Sequence, residues 1–391
     1  MTVAVPYSAR VTGTQRSNRA VVFAPPPPPP GGVPGGISAI TAVLTRELGH
    51  RGDVYFQAPV GKERSGTFGV RRGLINIMRL VRATVLVHRG DTVLVFSSAG
   101  FSFWEKCLWS VVVRVMGRAV AVVMVDGNFP HFFESLAAPL QSLARQVFSG
   151  AQFTIGVQSP AWQQYFRQTF PRARVERVSA SVDREFFESR PANESNGEAL
   201  RVLYVGWIIE AKGVCDLLDA IVIVAAESPR PFHVRLVGPL LGGDDRWHHE
   251  LEQRHLGALV TLAGTIHHRA ELVREYQTAD IFVFPSHAEG FPVALVEAVA
   301  VGLPCIGSRV GGIPDILDEG RAGLIVPACA PVQLAAALRH LLENDAARVA
   351  LGDAAKRHAQ QEYTHEECAS TYLRLLGIRT GPIELAGANS P

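Results

Sequence analysis

Two glutamates and a predicted helix start lie close together in the second half of the chain. Glu289 and Gly290 follow an apolar run that ends at Pro285, a pattern typical of a buried strand that leads into a loop. Pro292 is placed to take the first position of a helix, and Gly302 is placed to end it. The first N–H groups of a helix have no acceptors within it, so they can bind a diphosphate. The candidate diphosphate-binding residues are Gly290, Phe291, Pro292, Val293 and Ala294.

The second glutamate, Glu297, lies about five residues into this predicted helix, which is about 7 Å along the axis. A ribose lies at this distance from the diphosphate of the same nucleotide. A carboxylate there can accept hydrogen bonds from both ribose hydroxyls, and Glu289 can reach polar groups on the other side of the phosphates. Each acid also has a structural interpretation, Glu289 as a helix cap and Glu297 as a surface acid.

A second candidate phosphate-binding turn lies near the N-terminus. Six prolines, Pro25–Pro30, follow a predicted strand at Ala20–Ala24 and precede Gly35 and Gly36. Alone, the prolines are typical of a polyproline II spacer or an SH3-type ligand. Because a helix is predicted directly after them, over about Ile37–Gly49, the glycines could bring backbone N–H groups to a phosphate or simply form a tight turn.

Short β-branched runs alternate with amphipathic stretches along the whole chain, as expected of βαβ units around parallel sheets. The predicted strands of the first half are Ala20–Ala24, Asp53–Gln57, Thr92–Phe96, Ala119–Val125 and Gln152–Val157. Those of the second half are Arg201–Val205, His233–Val237, Val260–Ala263, Ile281–Pro285, Pro304–Gly307 and Gly323–Val326. The fold class is therefore α/β, with two Rossmann-like domains facing each other across a cleft. Ligands of such sheets bind outside the carboxyl ends of the strands.

The two halves carry opposite charge. Residues 1–190 have 22 Lys and Arg against 11 Asp and Glu, a net charge of +11, whereas residues 191–391 have 16 against 25, a net charge of −9. The predicted domains are 1–190, 198–365 and a returning C-terminal helix with a tail at 366–391, joined by a turn-rich linker at Pro191–Gly197. The basic half predicts an anionic partner. The alternative is that its arginines only form a charged surface in water.

One segment of the basic half has the pattern of a membrane-surface helix. Apolar residues recur at helical spacing in Gly69–Arg89, with Arg71, Arg72, Arg79 and Arg82 on a neighbouring face. Such a stripe could bind anionic lipid headgroups, or the helix could pack on the core with its charged face in water.

Cysteine usage and hydropathy bear on localisation. The five cysteines are widely spaced with no C-x-x-C pair, so neither a disulfide framework nor a zinc site is expected and a reducing cytoplasm fits. No apolar signal-peptide core is recognised at the N-terminus, and Arg114 and Arg118 interrupt the longest apolar stretch, Cys107–Val125. We therefore predict a cytoplasmic protein that can lie peripherally on the inner face of a membrane.

Several other enzyme classes are disfavoured by missing motifs. The chain has no P-loop, no G-x-S-x-G elbow and no H-E-x-x-H pair. A dinucleotide oxidoreductase remains a distant alternative, since paired βαβ domains are present without the glycine fingerprint. No Asp-x-Asp metal motif is found either, so we expect a metal-independent reaction without a cofactor.

The segment from Ala279 to Pro304 resembles the E-x7-E motif of the retaining GT-B glycosyltransferases of group 1. The likeness extends to Val310–Pro314, which is similar to the family's G-G-[IV]-P-E turn with Asp315 as the acid, and to Gly323–Pro327. Further matches are Tyr204–Gly206 with Lys212–Gly213, and Gly35–Ile37.

The resemblance implies a role for each matching residue. Glu289 would contact the hydroxyls of the donor sugar, Glu297 would hold the ribose, and Lys212 would neutralise the leaving diphosphate beside Gly206. Two positions depart from the family pattern. Trp207 stands where the family has an arginine, and Asp126 stands where many relatives have a histidine next to the transferred sugar. An ionised aspartate can accept a hydrogen bond there but cannot donate one.

The function implied by the resemblance is transfer of a hexose-type sugar, with retention, from a nucleoside-diphosphate sugar to a sugar or lipid-linked acceptor. Synthesis of a cell-surface polysaccharide or glycolipid would suit such an enzyme. The expected partners are the donor, the acceptor and an anionic membrane surface, with no nucleic acid. The alternative is a nucleotide-sugar-binding protein of the same fold with weak or lost transfer, suggested by Trp207 and Asp126.

Overall fold

The computed structural model describes residues 20–23, 36–48, 91–150, 152–188 and 199–378 of the 391-residue chain. The predicted strand Asp53–Gln57, the prolines 25–30, Gly35 and the basic segment 69–89 lie outside the described residues.

The first sheet consists of five parallel strands in the order β1-β2-β3-β4-β5. These are β1 (Ala20–Phe23), β2 (Thr92–Ser97), β3 (Ala119–Met124), β4 (Phe153–Val157) and β5 (Arg174–Arg177). The helices of this half are α1 (Gly36–Leu48), α2 (Phe101–Val115), α3 (Phe129–Glu134), α4 (Ala138–Val147) and α5 (Pro160–Thr169). Every residue of β2 and β4 is buried, as expected of a parallel sheet covered on both faces.

The second sheet has six parallel strands in the order β11-β10-β9-β6-β7-β8. These are β6 (Leu200–Val205), β7 (Phe232–Val237), β8 (Val260–Gly264), β9 (Ile281–Phe284), β10 (Cys305–Ser308) and β11 (Leu324–Val326). The helices are α6 (Val214–Glu227), α7 (Asp244–Gln253), α8 (Arg269–Thr278), α9 (Val293–Val301), α10 (Ile313–Ile316), α11 (Pro331–Glu343), α12 (Asp345–Glu362) and α13 (His365–Leu375). The prediction of two Rossmann-like α/β domains is confirmed.

The order of the second sheet reverses between β6 and β9. The chain runs from β6 outward through β7 to β8, and then returns to place β9 on the other side of β6, where Val202 pairs with Ile281. Loops leave the carboxyl ends of these two neighbouring strands in opposite directions, which opens a crevice between them. Ligands of open α/β sheets bind at such a switch point.

The last helix, α13, packs on the first sheet although it follows the second in sequence. Cys368, Tyr372 and Leu375 are buried in one cluster with Val22 of β1 and Leu94 of β2. A polar contact also joins the two parts, because the backbone N–H of Ser179 donates to Thr371 Oγ1 at 3.0 Å. The C-terminal helix therefore completes the core of the first half and ties the two domains together.

Ten predicted strands fall within the described residues, and each is present with its ends shifted by at most one residue. One strand was missed, β5, whose sequence is Arg-Val-Glu-Arg. It pairs only with β4 at the edge of the sheet. Only Val175 of its four residues is buried, so it carries no apolar run by which the sequence could reveal it.

Candidate active site

The two charged residues expected at the donor site, Lys212 and Glu289, form an ion pair. Lys212 Nζ lies 2.5 Å from Glu289 Oε1, and only 25% and 10% of the two side chains are exposed. Lys212 follows β6 and Glu289 follows β9, so the pair bridges the switch point of the second sheet. A low-exposure ammonium held here by a carboxylate is positioned to meet an anion that enters the crevice.

The backbone around this pair brings the two loops into direct contact. Gly213 has φ 69° and starts α6, and a Cβ there would lie 1.9 Å from the carbonyl oxygen of Pro285. The backbone N–H of His287 donates to Ala211 O at 3.1 Å. Because only glycine fits at 213, the loop after β6 can approach the loop after β9 closely enough to form the ion pair. Gly206 lies earlier in this connection and donates its N–H to Val237 O at 2.9 Å.

Helix α9 directs its N-terminus toward the same crevice. It spans Val293–Val301, with Pro292 as the N-cap and Gly302, at φ 87°, as the C-cap. The sequence placed Pro292 one position too far into the helix, because its backbone is extended at ψ 111°. Val293 and Ala294 begin the helix, so their N–H groups have no acceptors within it.

The aromatic ring next to the helix start packs inside the domain. Phe291 makes an edge-to-face contact with Tyr363 at 5.8 Å. A Cβ on Gly312 would lie 2.5 Å from this ring. Phe291 therefore anchors the loop, and Gly290, whose carbonyl accepts from Gly312 N at 2.8 Å, is held with it.

Glu297 is buried rather than a surface acid, so that structural interpretation is wrong. Its side chain accepts a hydrogen bond from the Tyr276 hydroxyl at 2.9 Å. Burial raises the pKa of Glu297 to about 7. The Tyr276 hydrogen bond and the positive charge of Arg269 oppose this rise in pKa without cancelling it. The sequence did not predict the roles of Tyr276 and Arg269, because both lie on a separate helix, α8, outside the motif that contains Glu297.

Asp126 lies at the end of the first domain that faces this site, and its carboxylate is engaged. Oδ2 accepts from Ala99 N at 3.0 Å and Oδ1 accepts from Asn128 N at 2.9 Å. These bonds join the loops after β2 and β3 and fix the turn at Gly127. A Cβ on Gly127 would lie only 2.2 Å from the carbonyl carbon of Glu289, so the two domains meet here.

Two further residues singled out by the sequence are Gly36 and Trp207. Gly36 begins α1, whereas its neighbour Gly35 is not described. Trp207, at the position of the family's arginine, follows Gly206 and is 50% exposed. Its carbonyl accepts from the Tyr204 hydroxyl at 2.8 Å, which fixes the backbone at this position.

Other features of the described residues lie apart from this crevice. A cavity of about 1000 Å³ is lined by β6, β7 and α8, among them Arg235 and Glu275, and includes none of the candidate residues. Within the described ranges, no helix combines the length and the apolarity needed to cross a membrane.

Comparisons with known proteins agree with this geometry. Residues 185–358 match the family model described as glycosyl transferases group 1. A D-inositol 3-phosphate glycosyltransferase of Corynebacterium diphtheriae is 32% identical over 200 residues, which cover 48% of this chain and 45% of that protein. The protein of the same name from Streptomyces coelicolor is 31% identical over 170 residues, covering 42% and 37%. The matched segments thus span less than half the length of these relatives.

Solved structures extend the likeness to the whole fold. Sucrose-phosphate synthase from Thermosynechococcus elongatus superposes with a TM-score of 0.70 at 19% identity, covering 92% of this chain and 98% of that one. HepE from Anabaena, in complex with UDP, gives a TM-score of 0.71 at 16% identity, covering 92% and 99%.

The two facing Rossmann-like domains, with the charged crevice between them, have the GT-B fold. The likeness to group 1 covers residues 185–358, which make up most of the second domain. The prediction of the fold is confirmed, and the match of residues 185–358 supports the predicted family and enzyme class. The roles of the individual site residues stay predictions.

Proposed function

We propose that this protein is a retaining hexosyltransferase. It takes a sugar from a nucleoside-diphosphate sugar and passes it to a sugar or lipid-linked acceptor, without a metal in the transfer step. We favour UDP as the nucleotide of the donor, because HepE from Anabaena was solved with UDP. A second similar structure, described as trehalose-6-phosphate from E. coli, was solved with UDP-2-fluoro glucose.

The observation that carries this proposal is the Lys212–Glu289 pair, 2.5 Å apart at the switch point. In the proposed complex, Lys212 turns from Glu289 to the diphosphate, together with the first N–H groups of α9. Glu289 is then released to accept hydrogen bonds from the donor sugar. The Tyr276 hydroxyl donates to Glu297 Oε2 at 2.9 Å. The other carboxylate oxygen of Glu297 is the proposed acceptor of hydrogen bonds from the ribose.

Catalysis on this arrangement is mainly stabilisation of the leaving diphosphate. Negative charge grows on the phosphate oxygens as the bond to the sugar breaks. A preorganised ammonium and helix N-terminus therefore stabilise the transition state more than the ground state. Asp126 faces the sugar from the first domain, but two backbone N–H groups engage its carboxylate. We therefore assign it to fixing the turn beside the sugar, and infer that the acceptor attacks from the face the diphosphate leaves.

The acceptor side is the basic first domain. Its net charge of +11 over residues 1–190 favours an acceptor that carries phosphate or is embedded among anionic lipids. The relatives named D-inositol 3-phosphate glycosyltransferase support a phosphorylated acceptor. Assembly of a cell-surface polysaccharide or glycolipid, on the cytoplasmic face of the membrane, is the context we propose.

Nucleotide binding tests the donor half of the proposal. Thermal stabilisation is measured with UDP, GDP, ADP and NAD for wild type, Lys212→Ala, Glu297→Ala and the control Lys356→Ala. Lys356 lies beside Gly302, at the far end of α9, so its loss should leave binding unchanged. One nucleoside diphosphate at about 100 times its Kd should add about 2.7 kcal/mol to wild type, and much less to the two site variants. Stabilisation by NAD alone, or by none of the four, would refute the proposal.

The second candidate function is donor binding without transfer. The half-exposed Trp207 supports it, because this residue stands where the family has an arginine and cannot neutralise the leaving diphosphate. The two functions differ in turnover. A transferase releases UDP from UDP-sugar in the presence of acceptor, or slowly to water. Tight binding of UDP-sugar with no UDP release over many hours would favour the binding protein, and Trp207→Arg would then be expected to restore release.

A further inference from the structure

A histidine, a carboxylate and a thiol converge beside the proposed donor site. Suitable atoms of Asp216, His287 and Cys329 all lie within 4.8 Å of one another. His287 Nε2 is 2.8 Å from Asp216 Oδ2, and 27% and 19% of these two side chains are exposed. Cys329 is the exposed member among the five free cysteines. The proposed donor chemistry uses none of the three.

Three separate elements position this cluster. Asp216 lies in the first turn of α6, and Cys329 lies two residues before Pro331, which begins α11. Helices α6 and α11 pack against each other, and the closeness of Asp216 to Cys329 shows that their N-terminal ends lie side by side. His287 comes from the loop after β9, which the bond from His287 N to Ala211 O fixes at 3.1 Å.

The backbone at Cys329 has an unusual conformation. Its φ of 53° lies in the left-handed region, which residues other than glycine and asparagine rarely adopt. The local turn would be easier for glycine, yet it carries a thiol directed toward an imidazole and a carboxylate.

The three ligand types match one class of cation. Zn²⁺ binds imidazole nitrogen, thiolate sulfur and carboxylate oxygen, and a site with three protein ligands keeps a fourth position for water. Bond lengths of about 2.0 to 2.3 Å in a tetrahedron place the ligand atoms roughly 3.3 to 3.6 Å apart. From the present geometry, His287 Nε2 and Asp216 Oδ2 must separate slightly from 2.8 Å. Cys329 Sγ already lies within 4.8 Å of both, and rotation of this exposed side chain can adjust its distance.

We propose that Asp216, His287 and Cys329 bind a divalent cation of the Zn²⁺ type. The cation replaces the hydrogen bond between His287 and Asp216 and links the starts of α6 and α11 to the loop after β9. That loop carries Glu289 two residues after His287, and Lys212 lies four residues before Asp216. Occupancy of the site therefore fixes the two loops that hold the Lys212–Glu289 pair, without the cation taking part in sugar transfer.

This site escaped the sequence because its ligands are far apart in the chain. His287 and Asp216 are separated by 71 positions, and Cys329 lies beyond two further strands. Local metal motifs depend on ligands a few residues apart, so only the fold brings this set together.

Cobalt titration of the EDTA-treated full-length protein tests the proposal directly. A sulfur-to-cobalt charge-transfer absorption that saturates at one Co²⁺ per chain is expected for wild type. The band should be absent in Cys329→Ser, and affinity should fall at least about tenfold in His287→Gln and Asp216→Asn. Cys215→Ser is the matched control, since Cys215 is partly exposed on α6, and it should keep the full band. A wild-type band that never saturates, or one that survives in Cys329→Ser, would overturn the proposal.

A second measurement needs no variant. Zn²⁺ should slow alkylation of the Cys329 thiol in wild type, read by mass spectrometry of its peptide, and EDTA should restore the rate. Equal alkylation with and without Zn²⁺ contradicts the site. Both readouts are made without donor or acceptor, so they stand or fall independently of the proposed transferase activity.

Discussion

Burial gives Glu297 a different chemistry from Glu289, although both are carboxylates of one motif. Glu289 is neutralised by Lys212 at 2.5 Å, whereas burial raises the pKa of Glu297 from 4.5 to about 7. As pH rises above about 4.5, the unfolded chain ionises at this position before the folded one does. Glu297 therefore costs folding stability progressively up to about pH 7, as expected of a residue kept for binding rather than for the fold.

A ligand that hydrogen-bonds to ionised Glu297 should bind with a matching pH dependence. UDP-glucose suits the test because its diphosphate has no proton that titrates near neutrality. Its affinity for wild type should rise about tenfold between about pH 6 and about pH 8, since ribose hydroxyls favour the charged carboxylate. Isothermal titration calorimetry across this range measures the slope. In Glu297→Gln, binding should be weaker and independent of pH, and an equal slope in that variant would contradict the assignment.

Sequence spacing located the charged residues but not their environment. The interval between Glu289 and Glu297 follows from local pattern, and Lys212 was found through the resemblance to the family. The hydroxyl that holds Glu297 belongs to Tyr276, 21 residues away on another helix. The hydrogen bond between Tyr276 and Glu297 depends on how α8 packs against α9. The residue spacing within either helix does not predict this packing.

At the level of secondary structure elements, the site depends on how closely two loops from different domains can approach. The turn at Gly127 follows β3, and the turn at Glu289 follows β9. The space between them accommodates no side chain at position 127, where a Cβ would meet the Glu289 carbonyl carbon at 2.2 Å. The missing side chain therefore permits the contact between the Asp126 turn and the donor loop.

Gly127→Ala tests this contact. Adding one methyl group should force the two loops apart, lower the free energy of unfolding by about 1 to 3 kcal/mol and reduce kcat/KM, because the first domain no longer reaches the donor sugar. Gly257→Ala is the matched control, because a Cβ there meets nothing within 4 Å. Denaturant unfolding and transfer assays on both variants measure the effect. If the two substitutions behave alike, the close approach is not needed.

Elements with an apolar face could be predicted from the sequence, and those without one could not. The buried strands were found to within one residue, because β-branched runs between turn residues are distinctive. The edge strand β5 was missed because three of its four residues are charged. Pro292 was placed inside α9 on a general preference, whereas its extended backbone makes it the N-cap.

At the level of the whole molecule, the two domains are connected twice. The chain passes once between the sheets, and α13 then returns to bury Tyr372 and Leu375 in the first core. Arg177 of β5 also pairs with Glu362 of α12 at 2.6 Å. The two sides of the crevice are built mainly from halves of the sequence with opposite net charge, +11 and −9. The basic side should then face an anionic partner while the acidic side faces away from it.

This charge separation predicts binding to acidic vesicles through the basic half. Replacing Arg71, Arg72, Arg79 and Arg82 together by Gln should weaken binding up to about a thousandfold, at about 1 kcal/mol for each charge near the surface. The matched control replaces four exposed arginines of the acidic half, Arg274, Arg309, Arg321 and Arg357, which changes net charge equally. Cosedimentation with vesicles rich in phosphatidylserine measures both. An equal loss of vesicle binding in the two variants would mean that net charge alone attracts the protein. Unchanged binding of the variant in the basic segment would exclude that segment as the membrane contact.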